Sequence, residues 1–435
     1  MNLTGRRWLA RAAFLLLIGA VVLLLVAAGW RTLTIFLLSA LGVLAMIAGA
    51  YWFLSNRGAR RWLALTLVVA ALAGLVVLFA WHHLIWVALI AVGAVLLAGV
   101  LGKLALRATG EAEAIPGARA ARPRHPFLIM NPRSGGGKVA RFGLKEKAEA
   151  LGAEVALLEG PGTVDVAALA RKAVADGADL LGVAGGDGTQ ALVADIAAEH
   201  DLPFLVISAG TRNHFALDLG LDRDDPATCL TALTDGEELR IDLGVIGDRT
   251  FVNNASFGAY AEVVRSPAYR DDKRRTTLEM LPDLLKGQRG ARLSARAGDT
   301  GIDAPQALLV SNNPYGTGDV AGLGRRPRLD GGTLGVLAVR VDNARQAVDL
   351  IRRGHGAGLT VTAADEIVVD SDAPEIPVGI DGETVLMPAP VRCASRPRAL
   401  RVLVPRQRPG VPASAPALDW ARLRHLASFR GAAQS

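Results

Sequence analysis

Four stretches free of charged side chains, Ala12–Gly29, Thr32–Leu54, Trp62–Trp81 and Leu84–Gly102, fill most of the first 107 residues. Each is long enough, or nearly so, to cross about 30 Å of hydrocarbon as a helix. The region is therefore read as four transmembrane helices. A cleaved signal peptide is the alternative for the first stretch, since Arg6, Arg7 and Arg11 precede an apolar run, but a second span follows almost immediately.

Basic residues set the expected orientation, because Lys and Arg in short loops tend to stay in the cytoplasm. Arg6, Arg7 and Arg11 precede the first span, Arg57, Arg60 and Arg61 separate the second from the third, and Lys103 and Arg107 follow the fourth. Arg31 and the pair His82 and His83 occupy the other side. The pattern predicts a multi-pass protein of the cell membrane with both its N-terminus and everything beyond the fourth span in the cytoplasm. No acidic or buried basic residue interrupts a span, which argues against a transporter. Gly42, Gly49, Gly74, Gly93 and Gly99 are expected to allow close helix packing.

The rest reads as an ordinary soluble chain, although hydrophobic residues make up 51% of the whole. A net charge of +7 favours partners that carry phosphate, either nucleic acid or the anionic face of a membrane. The membrane needs no further assumption, so no nucleic-acid partner is expected. Cys229 and Cys393 lie far apart and outside any CxxC, which gives neither a disulfide framework nor a cysteine zinc site. His125, His200, His355 and His425 have no metal-ligand spacing.

Residues 108–125 read as a linker rich in Ala, Gly, Pro and Arg. Beyond it the pattern alternates. Strands are predicted at Phe127–Met130, Glu154–Leu158, Asp179–Ala184 and Pro203–Ser208, with helices following Lys138 through Leu151, over Val164–Asp176 and over Thr189–His200. Such alternation implies a parallel sheet covered by helices, whose ligands bind beyond the carboxyl ends of the strands.

Three glycine-containing loops leave strands at that edge. The first, Asn131-Pro132-Arg133-Ser134-Gly135-Gly136-Gly137-Lys138, lets backbone N–H groups approach phosphate at a helix start. It is not a Walker A loop, because Val139 follows Lys138. The second, Gly185-Gly186-Asp187-Gly188-Thr189, surrounds an acid with glycines before a helix. Asp187 would repel a phosphate unless it holds Mg²⁺ or accepts a proton; the bland alternative is a tight turn with Asp187 as helix cap. The third runs from Gly210 through Thr211, Arg212, Asn213, His214 and Phe215 to Ala216.

Together with Ile241-Asp242-Leu243-Gly244, Asn254–Gly258 and Asp381-Gly382-Glu383, these loops resemble the diacylglycerol kinase catalytic family, over roughly residues 126–403. The resemblance implies an α/β nucleotide-binding domain with a parallel sheet, followed by a β-rich, sandwich-like domain. With the membrane helices in front, the expected division is 1–107 membrane, 108–125 linker, 126–240 ATP-binding, 241–404 β-rich and 405–435 tail. Short strand-like runs agree with a β-rich second half: Arg240–Ile246, Thr250–Asn254, Ala307–Ser311, Thr333–Arg340, Glu366–Asp370, Pro377–Ile380 and Leu400–Val404. A charged insertion, Tyr269–Lys286, is expected to approach membrane or lipid.

The resemblance further implies an ATP- and Mg²⁺-dependent kinase with a lipid acceptor, diacylglycerol first. The implied ATP site comprises Asn131, Pro132, Arg133, Ser134, Gly135, Gly185, Gly186, Asp187, Gly188, Thr189, Thr211 and Asn213. Asp187 and Glu383 are the implied catalytic residues, Glu383 as base, and Asp187 and Asp330 the implied metal ligands. The chain departs from the family pattern at Ala191, Leu192 and His214, and its Asp330-Gly331-Gly332 stands where an Asp-Asp-Gly is usual. Two other readings remain: an NAD kinase, which also uses a Gly-Gly-Asp-Gly loop, and a membrane-anchored nucleotide or lipid sensor without turnover.

The tail holds a Pro-rich stretch, Pro405–Pro416, then a helical pattern with Trp420, Leu423, Leu426 and Phe429 on one face. That pattern suits either an interfacial helix or one docked on protein.

Overall fold

The computed structural model describes residues 3–28, 32–56, 58–106, 115, 117–159, 164–211, 213–258, 292–316, 326–340, 358–410 and 420–428. The expected insertion at Tyr269–Lys286, like Arg212 and Phe429, lies outside them.

Four helices open the chain: α1 (Leu3–Ala28), α2 (Thr32–Ser55), α3 (Gly58–Trp81) and α4 (Ile85–Leu106). All four are long and apolar enough to cross a membrane. Large apolar side chains such as Leu15, Leu37, Leu63 and Leu89 point outward, exposed by 57 to 69%. A surface so apolar is unsuited to water. α1 packs on α4, and α2 on α3. Glycine serves that second pair at two positions: a Cβ on Gly42 would lie 2.8 Å from Leu75 Cδ2, and one on Gly49 2.7 Å from Val68 Cγ2. The packing role expected of Gly74, Gly93 and Gly99 is not met, since a Cβ there would touch nothing within 4 Å.

After β1 (Ala118–Arg119), the next elements are β2 (Pro126–Met130), α5 (Lys138–Arg141), α6 (Leu144–Ala150), β3 (Glu154–Leu157), α7 (Val166–Ala175), β4 (Leu180–Ala184), α8 (Asp187–Glu199), β5 (Pro203–Ile207) and α9 (His214–Asp218). The four strands pair in parallel in the order β3, β2, β4, β5. β2 and β4 are buried along their whole length, as their uninterrupted apolar runs require of a sheet covered on both faces. The single helix expected after Lys138 is broken in two at Gly143, whose φ of 58° lies outside the helical region. Asp165 caps α7 by accepting from Ala168 N at 2.9 Å.

The second half is antiparallel. It contains β6 (Gly236–Ile246), β7 (Arg249–Phe251), β8 (Asn254–Gly258), β9 (Leu293–Ala297), β10 (Thr300–Asp303), β11 (Ala307–Asn312), β12 (Leu334–Val339), β13 (Leu359–Ala364), β14 (Glu366–Ser371), β15 (Glu375–Ile380), β16 (Glu383–Pro388) and β17 (Val391–Pro405). One sheet runs β13, β12, β11, β8, β15, β16. A second runs β10, β9, β14, β17 and continues through β5 into the parallel strands. Phe251, Phe257, Val310, Ile367, Val378 and Cys393, drawn from both sheets, fill one core between them. This is a sandwich with a shared strand. β17 joins the halves because its 15 residues pair with β14 at one end, with β5 at the other, and with β6 along nearly the whole length. The expected divisions after residues 240 and 404 therefore fall inside β6 and β17.

A last helix, α10 (Trp420–Ala427), packs on the start of α1 and the end of α4. Leu423 is fully buried there among Ala10, Ala105 and Leu106.

Candidate active site

The three glycine loops converge beyond the carboxyl ends of β2, β4 and β5. In the first, Gly135, Gly136 and Gly137 have φ of 56°, 72° and 81° in succession, a path that side chains resist. Gly135 lies so close to Ala209 O that a Cβ would clash with it. Asn131 N donates to Ala184 O at 2.8 Å, and Asn131 Oδ1 accepts from Arg133 N at 3.0 Å. Lys138 Nζ reaches across to Arg223 O at 2.7 Å, and burial lowers its pKa. The same Nζ lies 3.4 Å from Ser208 O, so the first loop is tied to the segments on either side of the third.

The second and third loops touch directly. A Cβ on Gly210 would lie 2.6 Å from Gly185 O, so glycine is required for the contact. Asn213 adopts left-handed φ and ψ of 52° and 44° and is buried. Its Nδ2 donates to Ser208 O at 2.8 Å and to Gly210 O at 2.7 Å, which makes it the brace of its own loop. Thr211 stays exposed.

Asp187 is the first residue of α8, where helix N–H groups and the macrodipole favour negative charge. It is 9% exposed. Its Oδ2 accepts a long bond from His214 N at 3.4 Å, and its Oδ1 is buried without a partner among the described residues. Burial raises its pKa, against the nearby His214 charge and backbone donors that lower it. A buried acid of this kind, with one oxygen free, fits a divalent cation held jointly with phosphate oxygens.

Glu383 comes from the far half of the chain. Asp381 and Gly382, with φ of 45° and 91°, form the two-residue turn between β15 and β16, and Glu383 is the first residue after it. A Cβ on Gly188 would lie 2.8 Å from Glu383 Oε1. The same three residues thus make the hairpin turn and set the Glu383 side chain beside the second glycine loop.

Sequence reasoning missed what positions that hairpin. Asp381 accepts from Val252 N, Asn253 N and Asn254 N at 2.8, 2.9 and 3.0 Å. Burial pushes its pKa up to about 7, the charge of Asp187 adds to the rise, and the three N–H donors oppose it. Arg326, fully buried, donates from Nε to Asp218 Oδ2 at 2.7 Å, from Nη1 to Val252 O and Asn312 O at 2.6 and 2.7 Å, and from Nη2 to Asn253 Oδ1 at 2.9 Å. It therefore locks α9, which follows the third loop, to the segment that Asp381 clamps.

Asp330 does not join Asp187. Its oxygens accept from Arg328 Nε and Nη2 at 3.0 and 3.2 Å, and Arg398 Nη2 lies 3.9 Å away. Neighbouring Asp242 is filled by Arg398 N, Gly332 N and Asn313 Nδ2 at 2.7, 2.6 and 3.0 Å. Guanidinium and N–H donors occupy the oxygens a cation would need, so the metal expected at Asp330 does not fit. Among the described residues no group of three His, Cys, Asp or Glu side chains is placed to hold a metal ion.

The family model of the diacylglycerol kinase catalytic domain matches residues 125–246, which include all three loops. That segment belongs to the diacylglycerol kinase catalytic domain family. A diacylglycerol kinase of Mycobacterium tuberculosis is 34% identical over 122 residues, 28% of this chain and 40% of the relative. One of Bacillus subtilis is 32% identical over 164 residues, 37% of this chain and 53% of the relative. The matches thus span about half the length of these relatives or less. A Bacillus anthracis crystal structure, provisionally named a diacylglycerol kinase, shares the fold with a TM-score of 0.50 and 18% identity. It covers 66% of this chain and 99% of its own. The diacylglycerol kinase domain sits, in this chain, behind four apolar helices.

Proposed function

We propose that the chain is an integral membrane lipid kinase that transfers the ATP γ-phosphoryl group to a lipid hydroxyl, with diacylglycerol as acceptor and phosphatidic acid as product. The observation that carries this reading is the approach of Glu383 to Gly188, which sets a carboxylate across the cleft from glycine loops suited to phosphate. Residues 1–107 anchor the protein, 126–240 bind nucleotide and 241–404 present the acceptor. The apolar outer surface of α1 to α4 supports membrane insertion, and the alternating arginines support a cytoplasmic catalytic body.

On this reading the N–H groups of Ser134, Gly135, Gly186, Gly188 and Thr189 face the phosphates, with Asn131, Pro132, Arg133 and Gly185 shaping the walls. Thr211 contributes a hydroxyl from the third loop, and Asn213 holds that loop. Mg²⁺ held at Asp187 would neutralise the phosphate charge that the carboxylate otherwise repels. Glu383 accepts the proton of the lipid hydroxyl as its oxygen bonds to the γ-phosphorus and the bond to the β-phosphate oxygen breaks, releasing ADP. A hydroxyl is a poor nucleophile near neutral pH, so a carboxylate within hydrogen-bond reach has a defined task.

Labelled ATP given to the reconstituted protein with a membrane lipid extract, and separately with NAD, tests the reading. Label in phosphatidic acid is the expected result. Label in NAD alone would make the chain an NAD kinase, and ATP binding without transfer would make it a sensor, the outcome to which Ala191, Leu192 and His214 would then point.

A further inference from the structure

Tyr315 follows β11 in the run Asn312-Asn313-Pro314-Tyr315, where the chain is held in one position. Asn313 turns it with a φ of 70° and is buried. Its Nδ2 donates to Asp242 Oδ2 at 3.0 Å, its Oδ1 accepts from Gly331 N at 2.8 Å, and its carbonyl accepts from Ser311 Oγ at 2.7 Å. Pro314 then lies against β12 so closely that a Cβ on Gly335 would stand 2.5 Å from Pro314 Cα. A side chain on so fixed a footing is aimed before any ligand arrives.

The register places that footing at the end of the six-stranded sheet that carries the Glu383 hairpin. Ser311 pairs with Asn254, the next residue Ala255 pairs with Ile380, and Ile380 pairs with Glu383. Asn254 N donates to Asp381 Oδ1 and Asn254 O accepts from Asp381 N, both at 3.0 Å. Tyr315 therefore stands at the end of the sheet that meets the second glycine loop.

Its hydroxyl oxygen accepts from Asn254 Nδ2 at 3.0 Å. That bond uses a lone pair and leaves the phenol hydrogen over, and among the described residues no oxygen accepts it. Burial raises the phenol pKa, the charges of Asp218 and Asp381 add to the rise, and Arg326 and the Asn254 bond oppose it. Near neutral pH the group is thus a hydrogen-bond donor in search of an acceptor. The glycine N–H groups suited to phosphate all lie in the other half of the chain. Glu383, on the same half as Tyr315, is the group assigned to the acceptor's proton, so the phenol is placed to read the rest of the acceptor. Beside its hydroxyl a diacylglycerol carries ester carbonyls, which only accept hydrogen bonds, whereas sphingoid bases and polyprenols carry none.

We propose that Tyr315, braced by Asn254, donates its phenol hydrogen to an ester carbonyl of the lipid acceptor and so selects glycerol esters over alcohols that lack the carbonyl. A site that offers a buried donor discriminates against an acceptor without the matching oxygen, because the donor is then left unpaired. The role rests on the lipid-kinase reading and narrows its substrate class.

Full-length protein in detergent micelles is given dioctanoylglycerol or the dioctyl ether of glycerol, which matches it in chain length and has no carbonyl. The ratio of kcat/KM, ester over ether, should be about tenfold in the unaltered protein and should fall about 3- to 10-fold in Tyr315→Phe, the effect of one hydrogen bond. The KM for ATP should not move. Asn254→Ala should lower the ratio too and add little to Tyr315→Phe in the double variant, since both changes remove the same bond. Losses equal on the two lipids make Tyr315 structural and overturn the proposal, as does a ratio that stays constant. A rise confined to the KM for ATP assigns the phenol to the phosphates and overturns it as well. If the unaltered protein phosphorylates neither lipid, the kinase reading fails and binding decides. In equilibrium dialysis Tyr315→Phe should then bind labelled dioctanoylglycerol more weakly by the same factor and the ether alike, and equal binding of the ester overturns the role of Tyr315.

Discussion

The α/β and β-rich halves hold two kinds of carboxylate. Asp218, Asp242, Asp330 and Asp381 each find their donors within the protein: Arg326, backbone N–H groups, or Arg328 with Arg398. Among the described residues Asp187 keeps a buried oxygen with no donor, and the Glu383 side chain, which points at Gly188, has no hydrogen-bond or ion-pair partner. Glycine neighbours do not separate the two kinds, since Asp187 and Asp330 both have them. Donor supply does. A buried polar atom without a partner costs about 1–3 kcal/mol, and more when charged; among the described residues Asp187 Oδ1 is the one carboxylate oxygen in that state, which suits it to a ligand that completes it. Satisfied acids should therefore govern stability, and open acids should govern turnover.

The largest effect should come from breaking a satisfied pair at its most buried point. Arg326→Met leaves Asp218 charged in the interior without a cation, with the backbone N–H of residue 326 at 3.3 Å as its remaining donor, and strips donors from Val252 O, Asn312 O and Asn253 Oδ1. Removing one partner of a buried ion pair costs about 3–5 kcal/mol. Thermal unfolding in detergent should show a fall in Tm on the order of 10 °C, with partial recovery in the double variant that adds Asp218→Asn. An unchanged Tm would mean that Arg326 does not bind the two halves together.

Asp187→Asn should have the converse profile. It removes charge without changing volume or backbone, so Tm should hold or rise while kcat falls at least about 10²-fold. Near-normal turnover would make Asp187 a helix cap, and the distinction between open and satisfied acids would lose its main example. Glu383→Gln should follow with a kcat loss near the lower end of the general-base range, about 10²-fold, and little change in ATP affinity, because the role proposed for it is toward the acceptor. A loss confined to ATP affinity would move Glu383 to the nucleotide side of the cleft.

Much of this arrangement was legible in the sequence because it is local. The four apolar stretches, the buried strands Pro126–Met130 and Leu180–Ala184, and the glycine loops after them depend on neighbours within a few residues. The sandwich was legible only where a strand carries an apolar run. β9, β10, β13 and β16 passed unread because they alternate buried with exposed or polar residues, as Leu293–Ala297 does with Ser294 and Arg296. β17 was seen only as Leu400–Val404, since its first half is polar and meets β14 far from the parallel sheet. The positioning residues were hidden for a different reason. Asp381 clamps backbone 127 to 129 residues away, and Arg326 stands in the arginine-rich run Gly324-Arg325-Arg326-Pro327-Arg328, which reads as solvated surface until the fold buries one member.

The smallest expected effect is the one that most sharply separates the two kinds of acid. Asp330 was the residue expected to hold a second metal, and its side chain is only 1% exposed, yet its partners Arg328 and Arg398 are 53% and 65% exposed. An ion pair whose cation is in water contributes about 1 kcal/mol or less, so Asp330→Asn should lower Tm by only a few degrees. Its effect on kcat should stay within about twofold, because nothing in the cleft depends on its charge, and the Mg²⁺ concentration giving half-maximal activity should not move. A marked rise in that concentration would return Asp330 to the set of metal ligands. It would also mean that Arg328 gives way to a cation in the working enzyme, and that donor supply in the resting fold does not by itself distinguish a structural acid from one that binds a ligand.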